Sequence, residues 1–199
     1  MKKIVIVVFL LIYSISFSEW KELNIKDNLN ESEQVIIFSD VNEMSASLNN
    51  KFIDMIHNSV QLSMNQSYYN EMVEVFNTAK EDDTFYSIII NFGIHLRSKN
   101  FTKILDNISN EIVVEIKIDN NEPMKLNGLL YRQNYFIMIP LLKYDDISER
   151  NNKLLISQMK SGKQISIFLN EMYLIKDDLD NFSDSFEKIV PLPLQEKNK

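Results

Sequence analysis

The stretch Glu111-Ile-Val-Val-Glu-Ile-Lys-Ile-Asp119, the tetrapeptide Asn120-Asn121-Glu122-Pro123, and the stretch Met124-Lys-Leu-Asn-Gly-Leu-Leu-Tyr131 together decide the fold class. Apolar residues alternate with charged ones at a period of two, which is the signature of a strand with one dry face. The intervening tetrapeptide is turn chemistry, so residues 124–131 are expected to return as the hairpin partner. Strands are predicted on either side of this hairpin. Trp20 to Ile25, Gln34 to Phe38, and Phe85 to Leu96 precede it, with Gly93 as a bulge or close backbone approach. Tyr135 to Ile139, stopped by Pro140, follows it, and Lys163 to Leu169 with Met172 to Ile175 form a last hairpin.

Elsewhere the apolar period lengthens. Met44, Leu48, Phe52, Met55, Ile56 and Val60 recur at three or four residues, which predicts an amphipathic helix capped by Asp40 or Asn42. Tyr68, Tyr69, Met72, Val73 and Phe76 predict a second helix, from a cap at Asn65-Gln66-Ser67 to about Lys80. Asp145 to Met159 reads as a third, capped by Asp145 or Asp146, with Ile147, Leu154, Leu155 and Met159 as its stripe and Gly162 at the C-cap position. Phe182 to Ile189 reads as a short closing helix. The expected fold is α+β: a mainly antiparallel β-sheet or sandwich with three to four helices, forming a single domain over residues 19–190, with 191–199 a disordered tail after Pro191 and Pro193.

Residues 1–18 carry the clearest functional information. Lys2 and Lys3 precede an apolar run from Ile4 to Tyr13, and small residues stand at Ser16 and Ser18 just before Glu19. This is the layout of a secretory signal peptide, with cleavage expected at Ser16-Phe17-Ser18 before Glu19. A membrane-spanning helix needs about 20 apolar residues, and Ile4 to Phe17 offers fourteen positions, two of them serine. No stable span is therefore expected after removal of the signal. The alternative is an uncleaved signal anchor. Cleavage removes two lysines and no acids, taking the formal charge from −7 to −9. That acidic balance disfavours nucleic acid, whose affinity rests on Lys and Arg neutralising phosphates. The chain has no cysteine, so an exported domain must be stable without disulfides, and lipid attachment at the cleavage point is excluded. Asn-x-Ser/Thr triplets at Asn30, Asn65, Asn100, Asn107 and Asn181 read as chance in an Asn-rich, bacterial-type composition.

Catalytic motifs are sparse. His57 and His95 fall on different predicted elements, and their spacing matches no helical zinc motif. Three glycines, Gly93, Gly128 and Gly162, leave no Gly-x-Ser-x-Gly elbow and no phosphate-cradling loop. The acid clusters Glu81-Asp82-Asp83, Asp145-Asp146, and Asp177-Asp178 with Asp180 and Asp184 supply the residue type of a glycan hydrolase, but equally that of turns and caps. A calcium loop over Asp178 to Asp184 would have Phe182 and Ser183 at positions that want Asp or Asn and Gly. Tyr68, Tyr69, Tyr131, Tyr135 and Phe136 are candidates for a groove and, more simply, for core. Met44, Met55, Met64 and Met72 read as core filler on helices.

Residues 84–189 follow an order of features: an apolar strand, Val113 to Asp119 with its turn, a Leu-Leu-x-x-Met-Lys-x-Gly helix end at Leu154 to Gly162, a strand, and Phe182 with Phe186. In this the chain resembles small exported bacterial proteins of the invasion-associated locus B type, although it lacks the cysteines and Gly-rich strand edge common among them. The resemblance implies a β-rich, non-enzymatic envelope protein. The expectation is therefore an exported bacterial envelope protein, periplasmic or extracellular, that binds an unknown protein or envelope ligand and needs no cofactor. The alternative is an exported hydrolase using a carboxylate pair or the two histidines. A third is an assembly subunit that pairs through an exposed strand edge.

Overall fold

The computed structural model describes residues 19–27, 32–41, 43–48, 51–54, 60–68, 84–92, 110–131, 136–143, 145–170 and 173–189. Eleven antiparallel strands dominate it: β1 (Lys21–Asp27), β2 (Ser32–Asp40), β3 (Glu43–Leu48), β4 (Lys51–Asp54), β5 (Val60–Tyr68), β6 (Thr84–Phe92), β7 (Glu111–Ile118), β8 (Met124–Tyr131), β9 (Phe136–Leu141), β10 (Gln164–Leu169) and β11 (Tyr173–Asp178). Two helices accompany them, α1 (Asp146–Ser161) and α2 (Phe182–Phe186). The strand order is β1-β2-β5-β6-β9-β8-β7-β10-β11-β3-β4.

This order requires a curled sheet. β2 stands second and β3 tenth, yet only Val41 and Asn42 separate Asp40 from Glu43. Three steps of about 3.8 Å bring those ends within about 11 Å, so the sheet turns back on itself at this corner. Val41 is buried, and its N–H donates to Val60 O at 3.0 Å. A second clasp lies at Trp20. Its backbone N–H donates to Asp180 O at 3.2 Å and its Nε1 to Asp178 O at 2.9 Å, tying the start of β1 to the end of β11.

The inner face holds one continuous core. Ile37, Leu62, Met64, Ile88, Ile90, Val114, Ile116, Ile137, Ile139, Ile165, Ile167 and Ile175 are all buried, and Leu155 and Met159 of α1 with Phe182 and Phe186 of α2 join the same cluster. Cross-strand pairs such as Met64–Ile88, Ile88–Ile139 and Ile116–Ile167 carry it from strand to strand. β6 and β9 are buried on the outer face as well, at Phe85, Ser87 and Met138.

α1 begins with a capping box: Asp145 Oδ1 accepts from Ser148 N at 2.7 Å, and Ser148 Oγ accepts from Asp145 N at 2.9 Å. Glu149 then bridges Lys143 (2.5 Å) and Lys153 (2.6 Å). Those two lysines hold the Glu149 carboxyl down at about 2, and the Ser148 backbone N–H lowers that of Asp145. Because both are depressed in the fold, their contribution is present above the ordinary carboxylate range and is lost as pH falls through it. The first turn of α1 is expected to lose hydrogen-exchange protection between about pH 4.5 and 2, and less so in high salt. In a Glu149→Gln variant the Glu149 part of that loss is absent. Protection over 146–150 that stays level across this range, after correction for intrinsic exchange, overturns the assignment.

The structure corrects the α+β expectation: the fold is mostly β, with two described helices rather than three to four. Residues 43–48, 51–54 and 60–68, predicted as helix or helix cap, are strands β3, β4 and β5. Met44, Ala46 and Leu48 alternate, as do Val60, Leu62 and Met64, and pairing with β11, β2 and β6 selects that period over the helical one. Met64 is core, but on a strand. The rest of the second predicted helix, residues 69–80, lies outside the described residues. Pro140 does not end β9, which runs to Leu141. β8 accompanies β9 only as far as Met138, so Pro140 has a ladder on one side only, opposite Ser87, and its missing N–H is tolerated. In α1, Leu155 and Met159 face the core, whereas Ile147 and Leu154 are exposed. No helix among the described residues is long and apolar enough to cross a membrane.

Candidate functional site

The hairpin that decided the fold class also carries an open depression on its outer face. Val113 and Glu115 point outward from β7, Lys125 lies opposite Glu115 on β8, and Asn170 turns out of β10 beside Val113. Together they line an open depression of about 360 Å³. Asn170 adopts φ 47°, a left-handed conformation that Asn tolerates better than most residues. Its N–H donates to Val113 O (3.0 Å), while its Oδ1 accepts from Val113 N (3.0 Å). The amide side chain thus extends the β7–β10 ladder one step past Leu169 and fixes the wall of the depression.

Glu115 and Lys125 form an ion pair at 2.9 Å, with Lys125 the more exposed partner. Val113 is 47% exposed, unusual for a branched aliphatic residue in the middle of a strand. An apolar floor, one cation, one anion and one amide suit recognition of a polar chain or head group. The lining holds no hydroxyl, thiol or imidazole, and its single carboxylate is paired with Lys125.

A second constellation closes the inner face. Trp20 packs edge-on against Phe182 with centroids 4.9 Å apart, Phe182 against Phe186 at 5.6 Å, and Phe186 against Tyr86 at 4.8 Å. Lys160 Nζ sits 4.3 Å above the Phe186 ring and pairs with Glu187 at 2.5 Å. Burial raises the Tyr86 hydroxyl above its usual range, Lys160 pulling against it and Glu187 adding to it. These rings serve packing.

The sequence candidates divide clearly. His57, His95, Glu81, Asp82, Asp83, Tyr69, Tyr135, Met55, Met72, Ser16 and Ser18 lie outside the described residues. Asp145 and Asp146 are the cap and first turn of α1. Asp178 and Asp180 offer backbone carbonyls to Trp20, Asp177 is buried on the inner face of β11, and Asp184 is exposed on α2. The acidic run is thus a latch for the start of β1. Among the described residues no group of three or more His, Cys, Asp or Glu could hold a metal ion. Tyr131 and Phe136 stack at 4.5 Å on the outer face, half-buried, so the expectation that they belong to the core is corrected. Glu19 is exposed, and its carboxylate accepts from Asn181 Nδ2. Val113, Lys125 and Asn170 were not singled out from sequence. The signal available was a valine at the charged positions of an alternating strand.

Comparison of the chain with protein families, with curated proteins and with solved structures finds no match.

Proposed function

We propose that this chain is an exported bacterial envelope protein that acts by binding, with recognition at the depression formed by Val113, Glu115, Lys125 and Asn170. The observation that carries this reading is the division of labour between the two faces. Hydrocarbon dominates the inner face, the described acids of the sequence candidates cap, latch or lie on the surface apart from the buried Asp177, and the outer depression is lined for contact rather than for proton transfer. Export is supported by residues 1–18. The resemblance of residues 84–189 to exported proteins of the invasion-associated locus B type points the same way.

Two measurements on one culture test the reading. Fractionation followed by intact mass determination is expected to find the chain outside the cytoplasm, beginning at Glu19. A photo-crosslinking residue at Val113 is expected to give a discrete adduct in intact cells, whereas the same residue at Glu122, on the β7–β8 turn, does not. Cytoplasmic chain retaining residues 1–18 overturns export. Equal labelling at both positions overturns the site.

A further inference from the structure

Read backwards, strand β1 shows its own charge order with every sign inverted. Its sequence is Lys21-Glu22-Leu23-Asn24-Ile25-Lys26-Asp27. A second β1 laid antiparallel with Asn24 opposite Asn24 sets Lys21 against Asp27, Glu22 against Lys26, and Leu23 against Ile25. Each off-centre pairing occurs twice, giving four opposite-charge pairs and two aliphatic pairs, with no like charges opposed. We propose that β1 is a self-recognition edge through which two copies of this chain join their sheets across a two-fold axis at Asn24.

Three structural observations place that edge where a second copy can reach it. Among the described residues β1 is terminal in the strand order and pairs with β2 alone, over all seven residues. Among the described residues no other backbone hydrogen bond involves positions 21–27. Lys21 through Ile25 are each exposed, and the apolar pair is conspicuous: Leu23 is 49% and Ile25 38% accessible on a free edge. An edge of this kind is a template for another strand unless something blunts it. Charges ordinarily do the blunting, because a second edge meets them with like charge or strands them without a partner. Here their order admits one register of one partner.

The alternative registers show the selectivity. A shift of one residue sets Lys21 against Lys26, or in the other direction Glu22 against Asp27. A shift of two sets Lys21 against Ile25, or Leu23 against Asp27. Each replaces a complementary pair with repulsion or with a charge facing hydrocarbon, and like charges directly opposite are destabilising. The edge is also held ready. The clasp of Trp20 to Asp178 and Asp180 anchors its first end, and Lys188 pairs with Glu22 at 2.6 Å from the same chain. The partner's Lys26 would therefore approach a carboxylate that is already positioned. Seven residues a side is small against the roughly 20–30 of a standard interface, so the assembly depends on concentration.

Sedimentation velocity over a dilution series tests this on the purified chain. Wild type is expected to show a reversible monomer–dimer equilibrium. Lys21→Glu with Lys26→Glu gives an all-acidic β1, and Glu22→Lys with Asp27→Lys an all-basic one. Each is expected to self-associate roughly a hundredfold more weakly, from four cross-strand pairs changing sign. An equimolar mixture of the two restores the dimer. Asn24→Cys, in a chain without cysteine, is expected to form an intermolecular disulfide on oxidation, while Lys21→Cys, which faces Asp27, does not. The proposal is overturned by a wild-type chain that stays monomeric throughout, by charge variants that dimerise like wild type, or by equal cross-linking at positions 24 and 21.

Discussion

Phe182→Ala is expected to lower the thermal midpoint by roughly 10 °C and to shift the emission of Trp20 to the red. The ring is fully buried, lies edge-on to Trp20 at 4.9 Å and neighbours Phe186 at 5.6 Å. Truncating a buried Phe costs about 3–5 kcal/mol in lost burial and residual cavity. In a domain of this size about 1 kcal/mol moves the midpoint by roughly 2–4 °C. The loss is large against a total stability of about 5–15 kcal/mol. Phe182 also stands behind the clasp that brings the start of β1 to the end of β11, and Trp20 is the only tryptophan in the chain. Its fluorescence therefore reports that clasp alone. A Trp20→Phe variant separates the two contributions: it keeps an aromatic body but removes the donor to Asp178 O, at a cost of about 1 kcal/mol for the hydrogen bond. A midpoint within about 2 °C of wild type for Phe182→Ala, with emission unmoved, would show that the ring line does not close the fold.

How far the sequence discloses this fold depends on which neighbours decide each strand. β7, β8 and their turn are legible because alternation, turn residues and return strand lie within 21 contiguous residues. α1 is legible because its cap, first-turn acids and Gly162 are local. β3 to β5 are not, because Met44, Leu48 and Phe52 satisfy a helical period as well as an alternating one. The strand pairings that choose between them, Met44 opposite Ile175 and Met64 opposite Ile37, come from residues far away in the chain. The corner at Val41 is equally hidden: two residues between one strand and the next look like a hairpin, and only the strand order reveals that they join opposite ends of the sheet. The candidate site was less legible still. His57, His95 and the acid pairs stand out because their residue types do chemistry. The depression instead uses a valine exposed by strand geometry and an asparagine whose role is to complete a ladder at a positive φ. The acids from Asp178 to Asp180 matter through their carbonyls, which no side-chain pattern encodes.

Gly128 shows the same point as a prediction. In sequence it is one of three glycines, notable only because they are too few to cradle a phosphate. In the fold it sits on the inner face of β8, directly opposite Ile112 on β7. A Cβ there would lie 2.9 Å from Val114 Cγ2, 3.1 Å from Ile112 Cγ1 and 3.3 Å from Ile137 Cγ2. The glycine is required by space and not by conformation, since no glycine among the described residues has positive φ. All three neighbours are buried and β-branched, so none can rotate away cheaply. Gly128→Ala relieves the entropic penalty of glycine in a strand, about 0.5–1 kcal/mol, but overpacks the core, at about 1–3 kcal/mol. A net loss is expected, deepening in Gly128→Val, where two further methyl groups enter the same space. The decisive measurement is a double-mutant cycle by denaturant unfolding. Val114→Ala alone leaves a cavity, at about 2 kcal/mol. Combined with Gly128→Ala, the new methyl group occupies the volume that Val114 Cγ2 vacates. The pair is therefore expected to be more stable than the sum of its parts by about 1–2 kcal/mol. Strict additivity would mean that the two positions do not compete for one volume, and that β7 and β8 do not face each other in the register described here.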